Sequence, residues 1–293
     1  MTPASRPRAL MAGLAAVSLL LASCGGSDET VTRDKITTTT ATDTTTSMAT
    51  TSTEAPVEAE PLRILVSNDD GYEAEGIDAL VEGLITLEGV EVTVVAPLTQ
   101  QSGTGGKTSD GELETAEVEL DSGYSAVAVT GFPADTIGVA IDEMGIEPDL
   151  VITGINEGQN IGPVIDYSGT VGAARAAVKR GVPALATSQG TADVVDYQSA
   201  VPFILEWVTE HRSALQDGSA PVVVLNLNVP TCSTGDLGAL VIVRPDVDGD
   251  LAASLGEQDC TVDTTDRTFG DDVTAFLAGH PTLSLLSLEP AQK

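Results

Sequence analysis

Basic residues are scarce in this sequence: 13 Lys and Arg stand against 44 Asp and Glu, a formal charge of −31 over 293 residues. No run of Lys and Arg exists to neutralise a phosphate backbone, which excludes a nucleic-acid-binding protein. The same field repels free anions, so a site that handles an anionic ligand needs a bound cation or backbone N–H groups to invert the potential locally. Solubility is the simplest general cause of the charge.

Histidine is almost missing. Only His211 and His280 occur, both far in sequence from the polar loops described below. A Ser-His-Asp triad needs one of them there, and the sequence has no Gly-x-Ser-x-Gly elbow, no Gly-x-x-x-x-Gly-Lys-[Ser/Thr] loop and no Cys/His metal spacing. His211, followed by Arg212, reads as a partner for the dipole at a helix C-terminus. Aromatics are only 3%, so Val, Leu, Ile and Ala must build the core.

A long membrane-spanning run is also lacking. Arg6 and Arg8 precede an apolar stretch, 9–22, of about 14 residues, short of the roughly 20 that a spanning helix needs. With its basic start it reads as an export signal over residues 1–23. It ends in Leu21-Ala22-Ser23-Cys24, which resembles the bacterial lipobox, and Gly25-Gly26-Ser27-Asp28 follows as a flexible link. The expectation is an exported protein, lipid-anchored through Cys24 on the outer side of the membrane. Residues 24–60 collapse to Thr, Ser, Ala and Glu and are expected to be a disordered tether. With Cys24 lipidated, Cys232 and Cys260 remain. They can pair in an oxidising exterior, but spacing alone does not show that they meet.

From 61 to 293 the pattern is that of one α/β domain of about 230 residues, large enough for a proper core. Residues 62–67 are a buried strand, 77–85 recur at helical spacing until Gly89, and 90–96 are a second strand ended by Pro97. That is a βαβ unit, with a parallel sheet. Strands at 127–130, 150–153, 184–187 and 222–225 alternate with helices at 134–144, 170–180 and 197–215, a doubly wound three-layer sandwich with a mostly parallel, Rossmann-like sheet. After Gly235 the signal weakens to strands at 240–243 and 283–288 and a helix at 271–277. A small β-rich C-terminal extension is expected, a candidate for homo-oligomer contacts.

Three strand-end loops carry oxygen donors. Asn68-Asp69-Asp70-Gly71 follows the first strand, and adjacent carboxylates there suit a hard divalent cation, although a solvated Asn-Asp turn has the same composition. Ser102, in the loop after the second strand, can ligate a metal, bind a phosphate oxygen, or belong to a plain polar loop. Asn156, after the strand at 150–153, offers a neutral carbonyl oxygen, and Asn is also an ordinary loop former. Ser168-Gly169-Thr170 precedes a helix, where a hydroxyl is first an N-cap and free N–H groups also favour an anion. The carboxyl ends of parallel strands converge in space, and this raises the weight of the four weak signals together.

In order along the chain, Ile64-Leu65-Val66-Ser67-Asn68-Asp69-Asp70-Gly71, Ala96-Pro97 with Gln101-Ser102-Gly103, Gly131-Phe132-Pro133-Ala134-Asp135, Thr153-Gly154-Ile155-Asn156-Glu157-Gly158-Gln159-Asn160, Tyr167-Ser168-Gly169-Thr170-Val171 and Leu225-Asn226-Leu227-Asn228-Val229-Pro230 resemble the motifs of the survival protein SurE family of 5′/3′-nucleotidases. The resemblance covers about residues 62–230. It implies a SurE-like fold and one divalent metal ion, Mg²⁺ or Mn²⁺, held by Asp69, Asp70, Ser102 and Asn156, with Asp69 and Asp70 catalytic. Ser168, Gly169 and Thr170 would hold the phosphate of a nucleotide or other phosphomonoester. Tyr72-Glu73-Ala74-Glu75 stands where the family has a Val-His-Ala-Pro-like run, and Phe132 where it has Thr. A 5′/3′-nucleotidase acting outside the cytoplasm is therefore expected. The alternatives are a nucleotide- and metal-binding surface lipoprotein without turnover and a broad-specificity acid phosphatase.

Overall fold

The computed structural model describes residues 60–290. The export signal, the lipobox at Cys24 and the Thr/Ser-rich tether lie outside the described residues. Among the described residues no helix is long and apolar enough to cross a membrane.

The apolar runs become the central strands. β1 (Leu62–Ser67) pairs in parallel with β2 (Val90–Pro97) on one side and with β5 (Leu150–Glu157) on the other. Outward from β2 come β4 (Ser125–Val129) and the antiparallel β3 (Thr115–Glu119). Outward from β5 come β6 (Ala184–Gln189), β7 (Val224–Val229), β9 (Thr282–Leu286) and β8 (Val241–Ile242). The weakly patterned C-terminal region thus supplies the sheet's own edge, with β9 antiparallel to β7.

Helices cover both faces because alternate strand residues are apolar on both. Leu62, Ile64 and Val66 pack with Ile77, Leu80 and Leu84 of α1 (Glu75–Leu84) and with Ile204 and Val208 of α4 (Val201–Gln216). Leu65, Val95 and Val151 pack on the other face with Ile137 of α2 (Pro133–Gly138) and Val171 and Ala174 of α3 (Gly169–Lys179). Each fully buried Leu or Ile contributes roughly 1.5–3 kcal/mol, so aliphatic residues carry both cores, with Tyr197 the one buried aromatic among the members of the first.

Four readings change in detail. α1 stops at Leu84, five residues before Gly89, once its buried stripe is spent. The helix expected over 134–144 divides into α2 and a π-helical turn, Val139–Glu143. That over 197–215 divides into a 3-10 turn, Tyr197–Ser199, and α4, with Pro202 in its first turn, where a missing N–H does no harm. His211 is not at a helix end, because α4 runs on to Gln216. Its Nδ1 meets the Trp207 carbonyl at 2.8 Å and its ring stacks on Trp207 at 4.4 Å.

Two short helices, α5 (Leu251–Ser254) and α6 (Asp272–Leu277), complete the fold. Cys232, after β7, is bonded to Cys260, with Cα atoms 5.7 Å apart and 28 positions between them in sequence. A closed loop of that length is worth about 2–4 kcal/mol of stability.

Candidate active site

In the sheet order β2, β1 and β5 lie side by side, so their carboxyl ends open onto one edge. The turn after β1 delivers Asp69 and Asp70, the loop after β2 Ser102, and β5 Asn156. The turn after β1 is closed by Asn68, whose Nδ2 donates to the Gly71 carbonyl at 2.7 Å, and is tied to the next loop by Gln101 N donating to the Asp69 carbonyl at 2.6 Å. This fixes Asp69 and Asp70 between β2 and β5.

Asp69 is 2% exposed. Its carboxylate takes the Thr170 hydroxyl and lies against the start of α3. Gly169 permits this approach, since a Cβ there would stand 2.7 Å from Asp69 Cβ. Burial raises the Asp69 pKa, and the Thr170 hydroxyl opposes the shift. Asp70 accepts the Glu157 N–H at Oδ2, 3.0 Å, linking β1 to β5 across 87 positions. Its pKa is raised to about 7, first by burial and then by the charge of Asp69, while the Ser102 hydroxyl pulls it down.

Ser102 is exposed and accepts Gln100 Nε2 at 2.9 Å. The loop that carries it is pinned farther on, where Asp135 at the start of α2 accepts Ser109 N (3.0 Å), Ser109 Oγ (2.8 Å) and Phe132 N (2.9 Å). Lys107 Nζ sits 4.2 Å above the Phe132 ring.

Asn156 belongs to a strand rather than to the loop expected after 150–153. β5 continues to Glu157, with a register shift between Thr153 and Asn156. Gly154, at φ +128°, makes this possible, because a Cβ there would meet the Thr187 carbonyl at 2.2 Å. Both amide hydrogens of Asn156 go to backbone carbonyls, those of Glu157 (3.1 Å) and Gly158, so its Oδ1 remains as an acceptor.

Asp69, Ser102, Asn156 and Ser168 line one cavity of about 280 Å³. Ser168 caps α3, its Oγ accepting Val171 N at 3.1 Å. Thr170 is fully buried, with its hydroxyl spent on Asp69. Of the three residues expected at the phosphate, Ser168 alone therefore lines the cavity with Asp69.

These residues fit a hard cation. Among the described residues neither Asp69 nor Asp70 has a Lys or Arg partner. A buried and a half-buried carboxylate side by side without a counter-charge are costly, and a bound cation would remove the conflict. No cluster of three or more His, Cys, Asp or Glu suited to a metal occurs among the described residues, so a cation held by Asp69 and Asp70 would need neutral oxygens, of which Ser102 and Asn156 lie on the same cavity as Asp69.

Sequence reasoning missed the far wall: Gln159, Thr191 and Leu255 also line the cavity. It also gave no role to Asn160, whose backbone N–H donates to Asn228 Oδ1 at 2.7 Å and whose Nδ2 donates to Ser188 Oγ at 2.9 Å. The alternation Asn226-Leu227-Asn228 on a buried strand was the available signal, since two buried amides on one face require partners.

Known proteins resemble this chain in sequence and fold. The profile of the family described as Survival protein SurE matches residues 64–246. A protein named 5'-nucleotidase SurE from Halobacterium salinarum is 38% identical over 256 residues, spanning 79% of this chain and 93% of that protein. Another of the same name from a Synechococcus strain is 42% identical over 184 residues, 61% of this chain and 67% of that one. The crystal structure of Sure Protein from Aquifex aeolicus superimposes with a TM-score of 0.60 at 26% identity, covering 78% of this chain and 94% of the other. The chain belongs to the Survival protein SurE family.

Proposed function

We propose that this protein is a metal-dependent phosphomonoesterase that hydrolyses nucleoside monophosphates outside the cytoplasm. Its relatives' name, 5'-nucleotidase, supports the reaction class. The observation that carries the reading is the placing of Asp69, with no basic partner among the described residues, against the first turn of α3 in a cavity shared with Ser102, Asn156 and Ser168.

Asp69, Asp70, Ser102 and Asn156 would hold one divalent ion, Mg²⁺ or Mn²⁺, which supplies positive charge and Lewis acidity toward the phosphoryl oxygens. The chain's own residues do the rest. Ser168, whose Oγ accepts Val171 N and keeps its own O–H to donate, stands at the N-terminus of α3, where the helix dipole favours the charge that spreads over the equatorial oxygens as the ester bond breaks. Asp69 is held in one orientation by Thr170. Asp70 is the less buried carboxylate; Glu157 N donates to its Oδ2 and the Ser102 hydroxyl also bears on it, and it would take the proton of the attacking water.

The Cys232–Cys260 bond supports an oxidising location, as do the basic start, apolar run and Cys24 of the leader. The test uses the full-length protein with Mg²⁺ or Mn²⁺, a panel of nucleoside monophosphates and sugar phosphates, and phosphate release as the readout. Metal-dependent release from nucleotides at rates well above sugar phosphates is expected. Equal rates make it a broad phosphatase, and binding without release makes it a surface binding protein. Recovery in the soluble fraction of an export-competent host would overturn the anchor.

A further inference from the structure

Segment 254–260 closes one side of the cavity and is tied there in three ways. The Cys232–Cys260 bond joins it covalently to the loop after β7. Gln159 reaches across, its Nε2 donating to the carbonyls of Ser254 at 3.2 Å and Gly256 at 3.3 Å. Gln258 returns the contact, Nε2 to the Thr191 carbonyl at 2.6 Å, while Thr191 N donates to Gln159 Oε1 at 3.4 Å. The metal and phosphate positions use none of these bonds.

Leu255 is the residue this segment presents to the cavity, and it is 63% exposed, a large apolar side chain left open beside polar groups. Thr191 is a wall both of this cavity and of a second one of about 680 Å³, whose other side is Glu257, Gln258 and Asp259. The same segment therefore borders both spaces. A phosphomonoester with its phosphate at α3 has room for the rest of the molecule on this side of the cavity.

We propose that segment 254–260 is the leaving-group wall of the site, that Leu255 packs on the nucleobase of a nucleoside monophosphate, and that the Cys232–Cys260 bond holds the wall in register. The cleft beyond Thr191 carries hydroxyls, the Gln258 amide and the carboxylates of Asp193, Glu257 and Asp259, which suit the hydroxyl and amino donors of the nucleoside. This rests on the phosphomonoesterase reading. It makes the disulfide a determinant of substrate preference, with its effect confined to the part of the substrate that leaves.

The test compares adenosine 5′-monophosphate with methyl phosphate, which has no group to reach the wall. Full-length protein saturated with Mn²⁺ is assayed with the bond intact, after opening by dithiothreitol, and as the Cys232→Ser/Cys260→Ser double variant. Opening is expected to raise KM for the nucleotide about tenfold, as loss of a modest apolar contact does, and to leave kcat and the methyl phosphate kinetics within about twofold. Leu255→Ala keeps the bond and is expected to lower the preference for nucleotide over methyl phosphate about tenfold. Equal losses on both esters, or no change on either, overturn the wall. If the intact protein hydrolyses neither ester, the phosphomonoesterase reading fails on its own. Calorimetric binding of the nucleotide then decides the wall, which stands if opening the bond weakens Kd about tenfold and falls if Kd is unchanged.

Discussion

Thr170 donates its hydroxyl to Oδ1 of Asp69, joining the first turn of α3 to the end of β1 across 101 positions of sequence. The contact is buried, so a replacement that fills the space without donating leaves a carboxylate short of a partner. Thr170→Val is expected to lower stability by about 1–3 kcal/mol in urea titrations of the metal-free protein, with Thr170→Ser recovering most of the loss. An unchanged midpoint would show that the contact contributes nothing.

Asp69→Asn removes the charge at the centre of the donor set and keeps its shape. Turnover of a nucleoside monophosphate is expected to fall at least about a thousandfold at saturating Mn²⁺. The melting curve should persist. A variant with the wild-type rate would remove Asp69 from the mechanism.

Gly169→Ala tests position rather than charge. The added methyl would lie 2.7 Å from Asp69 Cβ, so the side chain or the helix must move. A loss of about a hundredfold in kcat/KM is expected, as for a displacement near 1 Å. Retained activity would mean that the first turn of α3 yields instead.

Asp70 sets a pH dependence. Burial, then the neighbouring Asp69, raise it to about 7 in the metal-free protein. Between the unfolded carboxyl range and about 7 the folded state therefore binds more protons than the unfolded one. Stability from this group is full below the unfolded value and is lost as pH rises through about 7. Cation binding competes with that proton, so Mn²⁺ affinity should rise with pH up to about 7 and then level off. Melting curves with and without Mn²⁺ across this range check both slopes, and parallel curves would contradict the assignment.

Asp135 acts on Ser102 from a distance. Asp135→Ala frees Ser109 and Phe132 together and is expected to cost about 1–3 kcal/mol of stability. Mn²⁺ affinity measured by calorimetry should weaken as the loop bearing Ser102 loosens. Wild-type affinity would show that Ser102 is positioned without this anchor.

Much of the fold was legible because β1, the second half of β2 and the start of β6 are buried on both faces and read as apolar runs. β3 was not, because Thr115, Ala116, Glu117 and Glu119 are exposed and the strand exists only through its pairing with β4. The second half of β5 reads as a loop since Gly154 and Asn156 suit one. It is strand because β6 pairs with it and the Thr187 carbonyl fills the space a side chain would need. The donors of the candidate site stood out as oxygen-bearing residues at strand ends. Gln159, Thr191 and Leu255 had no such signal, because they meet through a disulfide and main-chain bonds between distant segments.

The two outermost strands differ from the interior ones in a way that bears on crowding. β8 is only two residues long, and β3 shows Glu117 and Glu119 to solvent. A neighbouring copy trying to extend the sheet would find too short a template on one flank and like charges on the other. Growth of the sheet from copy to copy into a continuous ribbon is therefore disfavoured even at high density.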